Sequence, residues 1–226
     1  MPAPIVLNGQ ISQQASRQQL VAAGKMFAVT NPTPGTAIAN ATLTGYSATA
    51  NGLFVISNGN PSGGASIYLD RLQLVQTATA PTGTLVKRFE VISETGIVAG
   101  SGNVATRTPL NMNPSFPNTT GATVQGFNAG AITIPAAVGT RRQLQVLAMP
   151  TGVTVVHDTF VVDFGGEVLS VKNGGAAARA TDAALIAISA APVCIAPQTS
   201  AWINMWWVTQ AVNVPSYEFT LTYSEL

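Results

Sequence analysis

Charge is what this sequence has least of. Lys and Arg number 10 and Asp and Glu 9 in 226 residues, which is 8% of the chain, where an ordinary soluble domain carries about 25%. Ten cations offset by nine anions cannot build the electropositive field that a phosphate backbone requires, so no nucleic-acid partner is expected. Cysteine is nearly absent: Cys194 is alone, so no disulfide can staple the fold. His157 is the one histidine, and together these two residues fall short of the three or four Cys and His ligands of a zinc site. Long apolar runs are missing too. Segments such as Leu53–Ile56 and Val153–Val156 are far below the roughly 18 residues of a spanning helix, so no membrane partner is expected. The opening Met1-Pro2-Ala3-Pro4-Ile5-Val6 lacks a basic region followed by an apolar stretch, so a secretory route is not expected, and the sequons at Asn40 and Asn118 read as chance in a Thr-rich chain.

What is present is apolar and turn-rich. Hydrophobic residues make up 46% of the chain, enough to bury a core and to exclude a disordered tail. A coiled coil is excluded by the scarcity of charged helix formers. Residues 1–24, rich in Gln, Ser and Ala, read as an N-terminal arm with room for one short helix, and residues 25–226 read as one β domain. In 217–224 the residues alternate, with Tyr217, Phe219, Leu221 and Tyr223 on one face and Glu218, Thr220, Thr222 and Ser224 on the other, the pattern of a half-buried strand. The segment 154–164 places Phe160, Val162 and Phe164 on a face with Val156 and Asp158, opposite His157, Val161 and Asp163. Similar strands are expected at 26–30, 53–57, 66–76, 84–94, 123–134, 142–148, 183–189 and 201–208. Between them, Asn31-Pro32-Thr33-Pro34-Gly35, the Asn58–Gly64 run, Gly165-Gly166 and Asn173-Gly174-Gly175 supply turns through proline's missing donor and glycine's tolerance of positive φ. Roughly nine to eleven short antiparallel strands without long helices give an all-β sandwich.

Chemistry finds little to use. A nucleophilic site would need His157 oriented by Asp158 or Asp163. In a strand the adjacent Asp158 points to the opposite face, and Asp163 lies six residues away, about 20 Å at strand rise. Cys194 sits in the apolar run Ala191-Pro192-Val193-Cys194-Ile195-Ala196-Pro197, a setting that favours a packed, inert thiol. Nine scattered acids single out no pair for glycoside hydrolysis, and there is no EF-hand loop for calcium. Gly100-Ser101-Gly102-Asn103-Val104-Ala105 begins like a phosphate loop but has no third glycine and opens no helix. No enzyme activity and no cofactor are expected.

The segment Trp202-Ile203-Asn204-Met205-Trp206-Trp207-Val208 is apolar on both faces. Three readings are open: core filling, an interface with another subunit through Trp202, Trp206 and Trp207, or a sugar-stacking platform using Trp202 or Trp206.

The run 191–198, then Trp202-Ile203-Asn204-Met205-Trp206-Trp207, then Pro215-Ser216-Tyr217-Glu218-Phe219-Thr220-Leu221, together resemble the close of tailed-bacteriophage capsid decoration (cement) proteins. The segments Thr30–Ala39 and Ile67-Tyr68-Leu69-Asp70-Arg71-Leu72 resemble parts of the same proteins. The segment Thr108–Pro135 matches nothing in that pattern and reads as a long loop with a role of its own. The resemblance implies a jelly-roll body that forms a homotrimer and binds the major capsid protein on the outer surface of the head. It implies a virion location after synthesis in the host cytoplasm, and no chemistry. The alternative from another class is a carbohydrate-binding jelly-roll adhesin or lectin domain.

Overall fold

The computed structural model describes residues 17–39, 46–47, 49–78, 86–148, 156–165, 185–208 and 215–226. A short helix, α1, covers 17–22. The strands that follow are β1 (Met26–Thr30), β2 (Ile38–Ala39), β3 (Gly52–Asn58), β4 (Ile67–Ala78), β5 (Val86–Glu94), β6 (Ser101–Arg107), β7 (Leu110–Asn111), β8 (Ala122–Thr133), β9 (Arg141–Ala148), β10 (Thr159–Phe164), β11 (Leu185–Ala190), β12 (Val193–Ile195), β13 (Ser200–Val208) and β14 (Ser216–Glu225). They form two sheets packed together as a β-sandwich. One sheet has eight strands in the order β11-β10-β4-β14-β1-β7, with β12 also on β4 and β2 also on β14. The other has six, in the order β6-β8-β3-β13-β5-β9.

β14 lies inside the eight-stranded sheet, between β4 and β1, and its apolar face is realised as expected, while Thr222 and Ser224 of the other face are buried as well. Tyr217, Phe219, Leu221 and Tyr223 are all buried in the core. Phe219 meets Phe54 and Phe127 of the other sheet at centroid distances of 5.0 and 5.5 Å, so aromatic contacts join the two layers. Phe27 stacks on Tyr223 at 5.5 Å within the sheet.

β4 slips against β14 at two places, Thr77 and Asp70, and the second positions the site. Tyr223 pairs with Leu69 and Thr222 with Arg71, leaving Asp70 as the extra residue of a bulge. Ile67 and Leu69 before it, and Leu72 and Leu74 after it, all enter the core. The bulge absorbs the slip of one residue and turns the consecutive Asp70 and Arg71 to the outer face together.

One strand boundary is corrected, and two features were not anticipated. The strand expected from 154 begins at Thr159; Val156 and His157 form a turn, with His157 at φ 75°. β10 and β11 run parallel, the one parallel pair among the described strands of an otherwise antiparallel sandwich. A parallel pair needs a crossover of a dozen or more residues, and 166–184 supply that length, although they lie outside the described residues. The glycine-rich stretch at 100–105 is mostly β6, paired with β8 and bulged beside Gly102 at φ 74°. Its side chains are mostly exposed, so no apolar alternation marks it in the sequence.

Thr108–Pro135 is not one loop. It holds β7, a turn region and the twelve-residue β8. Of the expected N-terminal arm, 17–24 are held against the sandwich and 1–16 lie outside the described residues. The turn at Asn173-Gly174-Gly175 also lies outside them.

Where β9 and β11 end their sheets on the same side, the two layers are joined by a side chain. Gln145 Nε2 donates to the Ala191 carbonyl at 3.2 Å, and the Ala191 amide donates to Gln145 Oε1 at 2.9 Å.

Candidate functional site

The three tryptophans are filled in by their own chain. Trp202 and Trp207 have no exposed surface and Trp206 has 8%. The Arg141 guanidinium lies 4.8 Å from the Trp202 ring, Lys87 Nζ lies 4.5 Å from that of Trp207, and the Tyr46 ring meets Trp206 edge-on at 5.2 Å. β13 is covered on both faces because β5 and β9 bring Arg141, Glu90 and Gln143 over its outer side. Asn204 Nδ2 donates to Glu90 Oε2 at 3.0 Å there, and Tyr46 and Gln143 donate to Glu90 Oε1. These rings therefore present neither an open interface nor a sugar platform in the single chain.

The residues weighed for catalysis stay apart. His157 is exposed in its turn, its amide held by Gln76 O. Asp158 is buried, and Asp163 lies at the far end of β10 in an ion-pair cluster. Cys194 is exposed, against the expectation of a packed thiol. The reason is strand alternation: Val193 and Ile195 enter the core, so the residue between them faces out, opposite Tyr68 of β4. The Cys194 side chain in turn raises the pKa of the Tyr68 phenol. Among the described residues, no group of three or more His, Cys, Asp or Glu side chains is placed to hold a metal.

The built feature of the surface is a groove on the outer face of the eight-stranded sheet. The bulge sets Asp70 beside Arg71, and β10 brings Asp163 opposite Arg71. Helix α1 lies over them. Arg17 Nε donates to Asp70 Oδ1 at 2.6 Å and Arg17 Nη2 to Asp163 Oδ1 at 2.8 Å. Arg71 Nη2 reaches Asp163 Oδ2 at 3.3 Å, and Thr222 Oγ1 donates to Asp70 Oδ2 at 2.8 Å. Burial works against the charge of Arg17, but the two carboxylates outweigh it and hold the pKa above the ordinary arginine value. Such a network fixes helix to sheet by pairing the buried Asp163 and the half-buried Asp70, whose charges would otherwise be costly.

Beside this clasp, a cavity of about 610 Å³ opens between α1 and the sheet, lined by Val21, Ala22, Met26, Gln73, Met112 and Thr220 among others. A second, of about 320 Å³, continues from Gln73 and Thr220 to Glu218, Asn31 and Pro34. The wall near Met112 is stiff. Asn111 Nδ2 donates to Gly24 O, Asn113 Nδ2 to Ala22 O, and the Asn111 amide to Asn118 Oδ1. Leu110, Met112 and Phe116 stand exposed on it, at 48%, 44% and 41%. No family model, curated protein or solved structure matches this chain.

Little of this groove could be read beforehand. Arg17 is 53 residues from Asp70 and 146 from Asp163, so no local motif links them. The one signal is the slip in β4, where Leu69 and Leu72 cannot share a face in a regular strand.

Proposed function

We propose that this chain is a non-enzymatic virion structural protein, a capsid decoration protein. In this reading its β-sandwich is a jelly roll that trimerises on the outer surface of a tailed-phage head and clamps neighbouring major capsid proteins. The observation that supports it best is apolar surface on a nearly uncharged chain. Leu110 in β7 and Met112 and Phe116 in the asparagine-braced turn that follows it each stand exposed. A protein that works alone in water keeps such patches small, whereas one docked for the life of a particle buries them. The resemblance of the C-terminal segments to cement proteins points the same way. Genome pressure pulls capsomers apart, and many copies multiply weak contacts into a large stabilisation by effective concentration. No chemistry is needed for that.

The test is light scattering over a dilution series, followed by co-sedimentation with heads of the phage that encodes the chain. A trimer that persists on dilution and pellets with heads is expected. A monomer that leaves heads unbound overturns the proposal.

A further inference from the structure

The groove is lined by polar and charged groups that the described residues leave partly unpaired. Asn31 lines the smaller cavity and is 7% exposed. Its Nδ2 donates to Thr36 O at 2.6 Å, which fixes the amide and leaves the buried Oδ1 with no donor. That oxygen has almost no accessible surface, so Asn31 shapes the wall of the cavity and the free acceptor at this end is the carboxylate of Glu218. Glu218 stands in the same cavity with no hydrogen bond or ion pair from the described residues. At the other end Arg71, with its side chain 44% exposed, is held among the described residues by Asp163 through a 3.3 Å contact. Gln73 and Thr220, shared by both cavities, lie between.

The register sets the spacing. Glu218 pairs with Val75 and Thr222 with Arg71, so the acceptor end and the donor end lie four residues apart along the strands, about 13 Å. An extended polypeptide advances by the same rise, so its side chains four positions apart meet both ends.

From this we infer that the groove binds an extended segment of a partner protein carrying a basic residue and an acidic residue four positions apart. The basic side chain meets Glu218, the acidic one meets Arg71, and the uncharged residues between lie over Gln73 and Thr220. The inference deepens the docking reading above and names the chemistry of the shell segment it would grip.

The test uses isotope-labelled full-length chain and two capped pentapeptides, acetyl-Lys-Ser-Thr-Ser-Glu-amide and its reversed sequence, because an extended segment can lie either way. At least one should shift the amide signals of Gln73 and Thr220, and the all-serine peptide should not. Glu218→Gln should weaken that peptide about 2- to 5-fold, the range of an exposed charge pair. Glu218→Lys should transfer the preference to a peptide with Glu at both ends, and its unchanged signal dispersion elsewhere certifies the fold. Equal shifts from the all-serine peptide, or shifts from maltotriose with none from the charged peptides, overturn the inference. Head co-sedimentation is run separately on the same variants. Wild-type binding to heads that Glu218→Lys leaves intact sinks the groove and keeps decoration, while peptide binding without head binding does the reverse.

Discussion

Lys87 Nζ lies 3.2 Å from the centroid of the Phe160 ring, a lysine of one sheet set against an aromatic ring of the other. Trp207 and Tyr217 complete the enclosure at 4.5 and 4.7 Å, and Nζ donates to the Tyr217 hydroxyl at 3.1 Å. Burial drives the Lys87 pKa well below its usual value, with Asp158 pulling weakly the other way.

A stability prediction follows with a definite sign. The unfolded chain binds this proton more tightly than the folded one, so wild-type stability rises with pH between the lowered folded value and about 10.5. Each pH unit within that window adds at most about 1.4 kcal/mol. Lys87→Met should be the more stable protein at pH 7, and its advantage should shrink by pH 9.5. Urea denaturation at the two pH values checks this, and a constant difference refutes it.

Glu94 behaves in the opposite sense. Its buried carboxylate accepts from Arg141 Nε and from the amides of Val138 and Gly139. Burial would raise its pKa, but these donors together lower it. The stability it lends is present above the unfolded value and is lost as pH falls through the lowered folded one. Glu94→Gln should cost about 2–3 kcal/mol at pH 7, the scale of hydrogen bonds to a charged group. The difference from wild type should fade toward pH 3 in the same denaturation assay.

Gly24 has φ 67°, and a Cβ there would lie 2.3 Å from the Phe116 ring. Gly24→Ala should destabilise the chain by about 1–2 kcal/mol through the left-handed backbone alone. It should also displace Phe116 and, on the docking proposed above, weaken head binding out of proportion to that loss of stability. Comparing the two losses separates the docking role from a packing role.

Cys194 should react in the native state. One equivalent of Ellman's reagent per chain, taken up without denaturant, is the expected result. A thiol that appears only after unfolding contradicts the exposed position on β12.

Legibility in the sequence depended on whether a residue's neighbours along the chain or across the fold decide its place. β14 and β1 were readable because one face of each strand meets the core without interruption. Cys194 was misjudged from the apolar residues around it, although Val193 and Ile195 already implied by alternation that it faces out. The tryptophan strand was rightly seen as covered on both sides, but the cover is Arg141, Glu90 and Tyr46 from distant segments rather than another subunit. β6 was missed because an exposed end strand needs no apolar face. The groove depends on a helix, a bulge and β10 meeting in space, which no spacing encodes.

Gln145 has one more implication. By accepting from the Ala191 amide and donating to its carbonyl, its carboxamide takes the part of a neighbouring backbone at the seam between β9 and β11. The register shift in β9 at the Val91–Ile92 step leaves Leu144 unpaired and twists the strand just before that point. A foreign strand arriving at this seam finds hydrogen-bonding positions occupied and the backbone bent away. Strand addition at this pair of sheet ends is thereby discouraged.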